Sequence, residues 1–451
     1  MALAADLRSL NRHQWAAVSA SFLGWTMDAF DFFLMVFMFS AIAKEFHASI
    51  ADVAAASMLT LAARPFGALV FGMLADRFGR RPVLMVNIVL FSVLEFASAF
   101  APTLVDLLLL RAAFGFAMGG EWGVGASLAM ETIPAGARGF ISGILQEGYA
   151  TGFLIASVVT FFLFDRIGWR GLFMVGVIPA LLTVFIAVGV KESPAFEAQR
   201  AASPGRRTID MALMGIAAFA VAMAPAIAGA GNPAWMLPTV YGFCVPVALI
   251  GIWLFRKHWK LALYVIALMT AFNFLSHGTQ DFYPTFLREQ HHMTTQQVSL
   301  LTIIGNFGAI IGGVTFGAWS ERLGRRRTMV LAALLCLLAL PLWAFSHTMA
   351  LLAVGAFFMQ VMVQGAWGII PVHLNELSPP DVRGAFPGYA YQVGNLLASG
   401  NLVWQAQIAK AEHGNYGLAL ALVAGVIAVV IAGLTWFGPE RRGVDFVGGA
   451  H

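Results

Sequence analysis

Apolar residues run along this chain in stretches about 20 residues long, divided by short polar clusters, and about 20 helical residues is what a hydrocarbon layer requires. The pattern predicts helices near 14–42, 50–75, 83–101, 103–130, 139–164 and 171–190, then two more near 211–230 and 236–255. A second set of six follows near 261–286, 297–317, 328–346, 349–375, 384–409 and 416–437. Six, two and six make fourteen spans. The first apolar run extends from Trp15 past Met35 with no small-residue cleavage site behind it, so it reads as a span and not as a leader.

The polar clusters repeat. Gly72-Met-Leu-Ala-Asp76-Arg77-Phe-Gly79-Arg80-Arg81 returns 245 residues later as Gly317-Ala-Trp-Ser-Glu321-Arg322-Leu-Gly324-Arg325-Arg326. Glu131-Thr-Ile-Pro134-Ala-Gly-Ala-Arg138-Gly139 returns at the same offset as Glu376-Leu-Ser-Pro379-Pro-Asp-Val-Arg383-Gly384. One offset shared by two motifs marks a duplication, and duplicated membrane halves point to a secondary transporter. The expected units are 1–191, a six-helix bundle; 192–260, a linker with two extra helices; and 261–451, the second bundle.

Composition agrees. Hydrophobic residues are 59% and charged residues 11%, outside the range of soluble domains. Cys244 and Cys336 both lie in apolar runs, which suggests neither a disulfide framework nor a thiolate metal site. Arginine and lysine gather in alternate loops, and the opposite loops keep only Lys44, Arg166, Arg170, Arg288 and Lys410. By the positive-inside rule both termini are expected on the cytoplasmic side. No lysine follows a glycine as a phosphate-binding loop needs, and no His-Glu-x-x-His or Cys/His cluster occurs. ATP-driven and metalloenzyme readings therefore fall away, and no cofactor, metal or nucleic acid is expected. The basic stretch 192–210 reads as a linker whose charges equally suit anionic lipid head groups.

The repeated Gly-x-x-x-Asp-Arg-x-Gly-Arg-Arg cassette resembles a signature of the major facilitator superfamily. That resemblance implies an all-α fold of two six-helix bundles and alternating access. It also implies that Asp76, Arg77, Arg80, Glu131 and Arg138, with Glu321, Arg322, Arg325, Glu376 and Arg383, are cytoplasmic latches. Met27-Asp28-Ala-Phe30-Asp31-Phe32 and Met118-Gly-Gly-Glu121-Trp122-Gly123 resemble the sialate:proton symporter family, as do the two central helices. Asn273-Phe-Leu-Ser276-His277-Gly-Thr279-Gln280-Asp281 through Thr285 is similar to the signature of Jen-type lactate/pyruvate:proton symporters. In those carriers a second-helix arginine and a Gln-x-x-Asn pair bear on substrate, which the resemblance carries to Arg64, Gln392 and Asn395.

An ionisable group in hydrocarbon costs several kcal/mol, so each one asks for a role. Arg64, midway along the second span, cannot shed its proton and needs an anion. That anion is either a cargo carboxylate, met by two parallel hydrogen bonds, or a resident Asp28 or Asp31. Asp28 and Asp31 are three apart and share a helix face. Two carboxylates in low dielectric do not both ionise cheaply, as a proton site requires. The repeat offset matches them to Asn273 and Ser276, which places both sets toward a central cavity. Asn273, His277 and Asp281 form one polar stripe with Gln280 beside it. Asp281 is placed to orient His277. Gln392 and Asn395 add uncharged donors, or glue between helices. Glu95 with Arg111 reads as a structural pair, and Glu121 with Glu147 as a reserve proton site. The expected protein is a monomeric, proton-coupled importer of a short monocarboxylate such as lactate, pyruvate or acetate, in a bacterial inner membrane. A sugar acid such as sialic acid, or an aromatic acid, is the alternative.

Overall fold

The structure, a computed structural model, describes residues 2–48, 50–202, 216–217, 219–220, 236–399 and 401–446. The described secondary structure is helical throughout, and nine stretches among the described residues are long and apolar enough to cross a membrane by length and composition. Twelve core spans follow the expected order. The first is Arg12–Glu45, the second Ile50–Phe78 and the third Arg80–Ser98. The eighth, ninth and twelfth are Thr295–Leu323, Arg325–Ala344 and Tyr416–Phe437.

The other core spans are built in pieces. The fourth is Leu104–Met118 and Glu121–Thr132, and the fifth Arg138–Gln146 and Gly148–Val175. The latter helix carries a kink at Gly168, whose φ of 63° opens the turn into the sixth span. That span ends in Leu182–Gly189. The seventh is Trp259–Gln280 and Tyr283–Glu289, the tenth Met349–Trp367 and Ile370–Leu377, the eleventh Phe386–Ala398 and Asn401–Ala411. Hydropathy joined these pieces into single helices, because a break in a buried helix leaves the apolar run intact. Of the two central helices, the second appears as Met236–Leu254. The first, near 211–230, lies almost wholly outside the described residues.

Local chemistry explains the boundaries. Asn11 opens the first span as a capping box with Gln14, and Thr294 with Gln297 does the same for the eighth. Thr103 and Thr348, which are 245 apart, cap the fourth and tenth spans. Packing within each half repeats as well. A Cβ on Gly67 would lie 1.7 Å from the Phe116 carbonyl oxygen, and one on Gly312 would lie 2.1 Å from that of Val361. Helices two and four, and eight and ten, therefore touch backbone to backbone, which only glycine permits at these positions.

The helix Met236–Leu254 packs beside the second span. It is held to the eleventh by Tyr389, whose hydroxyl donates to the Val247 carbonyl at 2.5 Å, and by Phe255 against Phe386. This central element thus touches both halves.

Candidate functional site

The two cassettes build matching locks. Arg80 reaches Asp76 and Glu131, each at 3.1 Å. Arg325 reaches Glu321 at 2.9 Å and Glu376 at 3.0 Å. Each arginine opens the helix after its cassette, and a carboxylate from beyond the sixth or twelfth span caps that helix. Glu192 accepts from the Arg80 and Arg81 amides at 3.0 and 3.2 Å, and Glu440 accepts from the Arg325 amide at 2.7 Å. Serving an exposed helix N-terminus this way satisfies donors that lack partners in the helix.

The locks also join the halves. The Gly384 amide donates to Asp76 at 2.8 Å, and the Gly139 amide donates to Glu321. Ser127 donates to Asn375 at 3.0 Å, and Ser142 accepts from the Val372 amide at 3.1 Å. The segment after the twelfth span threads this junction. Arg138 donates to the Val444 carbonyl at 2.7 Å, and the Phe446 ring lies 3.8 Å from the Arg138 guanidinium carbon and 4.4 Å from that of Arg383. Arg77 and Arg322 stand apart from the locks. Arg77 lies over Phe78, and the exposed Arg322 lends only its backbone carbonyl, to Arg442.

Deeper in the N-terminal half, Arg64 donates from Nη2 to Asp28 at 2.9 Å, with side-chain exposures of 3% and 0%. The resident aspartate is therefore its counter-ion in this state. Arg64 Nε has no partner, and Nη2 also meets Met118 Sδ at 3.4 Å. Glu121 joins the pair electrostatically. It is buried, neither of its oxygens is hydrogen-bonded, and a Cβ on Gly24 would lie 2.3 Å from its Oε1. One guanidinium and two carboxyls share this pocket of the bundle.

Asp31 has different nearest neighbours from Asp28, although the two carboxyls still act on each other. It turns to the Glu95–Arg111 ion pair beside Gly176, and neither of its oxygens is hydrogen-bonded. A spacing of three turns the two side chains about 60° apart around a helix, enough to serve different neighbours.

The C-terminal half brings the expected stripe together. His277 Nδ1 lies 3.0 Å from Asp281, and Nε2 lies 3.1 Å from Asn395 Oδ1. The His277 and Asp281 side chains are 27% and 44% exposed, whereas the cassette arginines Arg80 and Arg325 are buried. Gln280 donates to Gln360 at 3.0 Å. Asn273 donates to its own helix at Met269, 2.8 Å away. Gln392 is buried with both amide atoms unpartnered.

Between the charged trio and the cassettes lies an aromatic cluster that sequence reasoning missed. Tyr391 touches Trp25, Trp122 and Trp367 at ring distances of 6.3, 4.7 and 5.6 Å, and Trp25 stacks on Tyr149 at 5.5 Å. Both halves contribute. The indole nitrogens of Trp25 and Trp367 are buried donors without partners. Trp122 and Trp367 are 245 apart, a signal the repeat offers and hydropathy hides. Gln360 was missed too; it and Gln364 are the polar side chains of an otherwise apolar helix.

Family models match each half separately: Major Facilitator Superfamily over residues 19–209, and Sugar (and other) transporter over 260–441. A carboxylic acid transporter protein homolog of Saccharomyces cerevisiae is 29% identical over 90% of this chain, which spans 63% of that relative's length. The sialic acid transporter NanX of Escherichia coli is 25% identical over 93% of both chains. Among solved structures, the proton:xylose symporter XylE superposes with a TM-score of 0.70 at 19% identity, covering 96% of this chain and 97% of its own. These matches do not show the likeness to Jen-type carriers, which rests on the seventh-span motif alone.

Proposed function

Because the chain belongs to the Major Facilitator Superfamily, we propose that it is a proton-coupled symporter of a short-chain monocarboxylate, working by alternating access across a bacterial inner membrane. In this reading it has fourteen spans, cytoplasmic termini, and acts as a monomer. The observation that carries it is the trio of Arg64, Asp28 and Glu121. One buried cation against two buried carboxyls balances only when one carboxyl holds a proton, since a second uncompensated charge costs several kcal/mol.

The transport step follows from that balance. A proton arriving from the open side neutralises Asp28, which then lets go of Arg64. The cargo carboxylate takes its place on the guanidinium, where the unused Nε supplies the second donor of a bidentate contact. Gln280, Gln392 and Asn395 on the facing half, with Asn273 turned from its backbone, are the proposed uncharged donors. His277 and Asp281, at the open mouth, pass the proton inward. With charge neutralised, the halves rock and the cassette locks part. The latches Asp76, Arg80, Glu131, Arg138, Glu321, Arg325, Glu376 and Arg383 bias the state sealed on the cytoplasmic side, flanked by Arg77 and Arg322.

A second reading, a larger sugar acid or aromatic acid, is favoured by the five rings and two free indole donors beside Arg64. Proteoliposomes with an inward proton gradient test both. Accumulation of labelled lactate, competed by pyruvate and acetate, supports the first. Competition by sialic or benzoic acid alone supports the second, and gradient-independent uptake of every acid removes proton coupling.

A further inference from the structure

The seam between the fifth and eighth spans holds a carboxyl for which the mechanism above has no use. Glu147 sits at the junction of Arg138–Gln146 and Gly148–Val175. It is 4% exposed and its Oε1 has no hydrogen-bond partner. It presses against the other half of the molecule, where a Cβ on Gly313 would lie 2.0 Å from Oε1. Around it the halves meet backbone on backbone. A Cβ on Gly143 would lie 2.3 Å from the Gly313 carbonyl oxygen, and one on Gly139 would lie 2.4 Å from that of Gly317. No described charged group of the first, eighth or tenth span acts on Glu147, the Arg64 trio included.

A carboxylate enters so dry and uncharged a contact only at a cost of several kcal/mol, whereas a carboxylic acid enters at the smaller cost of an unmet hydrogen bond. In the alternating-access reading this contact parts when the cassette side opens, because its two walls belong to different halves. We infer that Glu147 is a proton-binding site that ties closure of the cassette side to pH. Its carboxyl takes a proton from water to enter the seam and returns that proton to water when the halves separate. The inference rests on the alternating-access reading but needs neither its cargo nor Arg64.

The repeat supplies a control. Shifted by 245, the equivalent of Glu147 is Gln392, an uncharged isostere on the eleventh span, which packs against the second. The fold already accommodates an amide at this position of its architecture, so Glu147→Gln is expected to fold.

Hydrogen–deuterium exchange in nanodiscs, corrected for intrinsic rates, reads the seam directly through segments 139–146 and 313–320. Between about pH 5 and about pH 9, wild-type protection there is expected to fall at least about tenfold as the carboxyl ionises. E147Q is expected to stay protected throughout. A wild-type seam whose protection ignores pH overturns the inference, whether or not E147Q folds, and so does an E147Q seam whose protection falls with pH as the wild type's does. Failure of the wild type to move any acid sinks the transport reading instead, and leaves the exchange profile to judge Glu147.

Discussion

The N-terminal half carries ionisable side chains at a set of buried positions, and the C-terminal half carries amides, a hydroxyl or apolar residues at their counterparts. Shifted by 245, Asp28 becomes Asn273, Asp31 Ser276, Arg64 Ala309, Glu95 Leu340, Arg111 Ala356, Glu121 Ala366 and Glu147 Gln392. At the cassettes the halves agree instead: Arg80 with Glu131 and Arg325 with Glu376 form the same bond, at 3.1 and 3.0 Å. The contrast separates two demands. A lock between halves works when both sides present it, so duplication preserves it. In the proposed reading a site for one anion and one proton needs a single cation, and a second would add only desolvation cost.

The strongest challenge to that contrast is Arg64→Ala. It leaves Asp28 and Glu121 buried with no cation, so a loss of about 3–5 kcal/mol of stability is expected, along with acid binding. Calorimetry and thermal melting check both. If Asp28→Asn restores the melt but not the binding, the arginine is an anchor; recovery of both would make the pair a structural cap. Next in size are Arg80→Ala and Arg325→Ala. Each breaks a buried pair, and if the locks are equivalent each should open the cassette side to a similar extent, read by cysteine accessibility at Ser127 and Ser142. A large effect from one and none from the other would break the symmetry argued here.

Trp25→Ala removes a ring from the cluster shared by both halves, and costs about 3 kcal/mol if its packing is of ordinary core quality. Weaker affinity for bulky acids with lactate uptake unchanged would sharpen the case for a larger cargo. The smallest effect belongs to Arg170→Ala. Arg170 and Trp169 hydrogen-bond Glu45, which lies at the end of the first helix beyond its apolar stretch Arg12–Phe39. Burial would raise that carboxyl, but these bonds outweigh it and hold it below its ordinary value. The bond therefore stabilises at neutral pH and fades as acid protonates Glu45. With both side chains a third or more exposed, solvent leaves it worth under about 1 kcal/mol. A thermal shift larger than that of Trp25→Ala would contradict the ranking.

Much of this arrangement is readable before any coordinates. The offset of 245 carries both locks, since Gly-x-x-x-Asp/Glu-Arg fixes charges on one helix end and Glu131 and Glu376 recur with it. The seventh-span stripe follows from helical spacing, and His277, Asp281 and Asn395 do meet. Other features resist such reading for physical reasons. Which aspartate pairs with Arg64 depends on helix rotation, which is set by neighbours such as Gly24 and Gly176 and not by the spacing of Asp28 and Asp31. The breaks at 119–120 and 147 are silent in hydropathy. The aromatic cluster draws on five separate spans, and in a chain this apolar a tryptophan carries no mark of where it points.

One consequence concerns handling the protein. Phe446 is clasped by guanidiniums from opposite halves, so the last described residues form a staple across the joint between them. A fluorescent reporter or purification handle fused behind that ring loads the joint itself, and rates measured on such a fusion describe a different machine from one labelled at the opposite end.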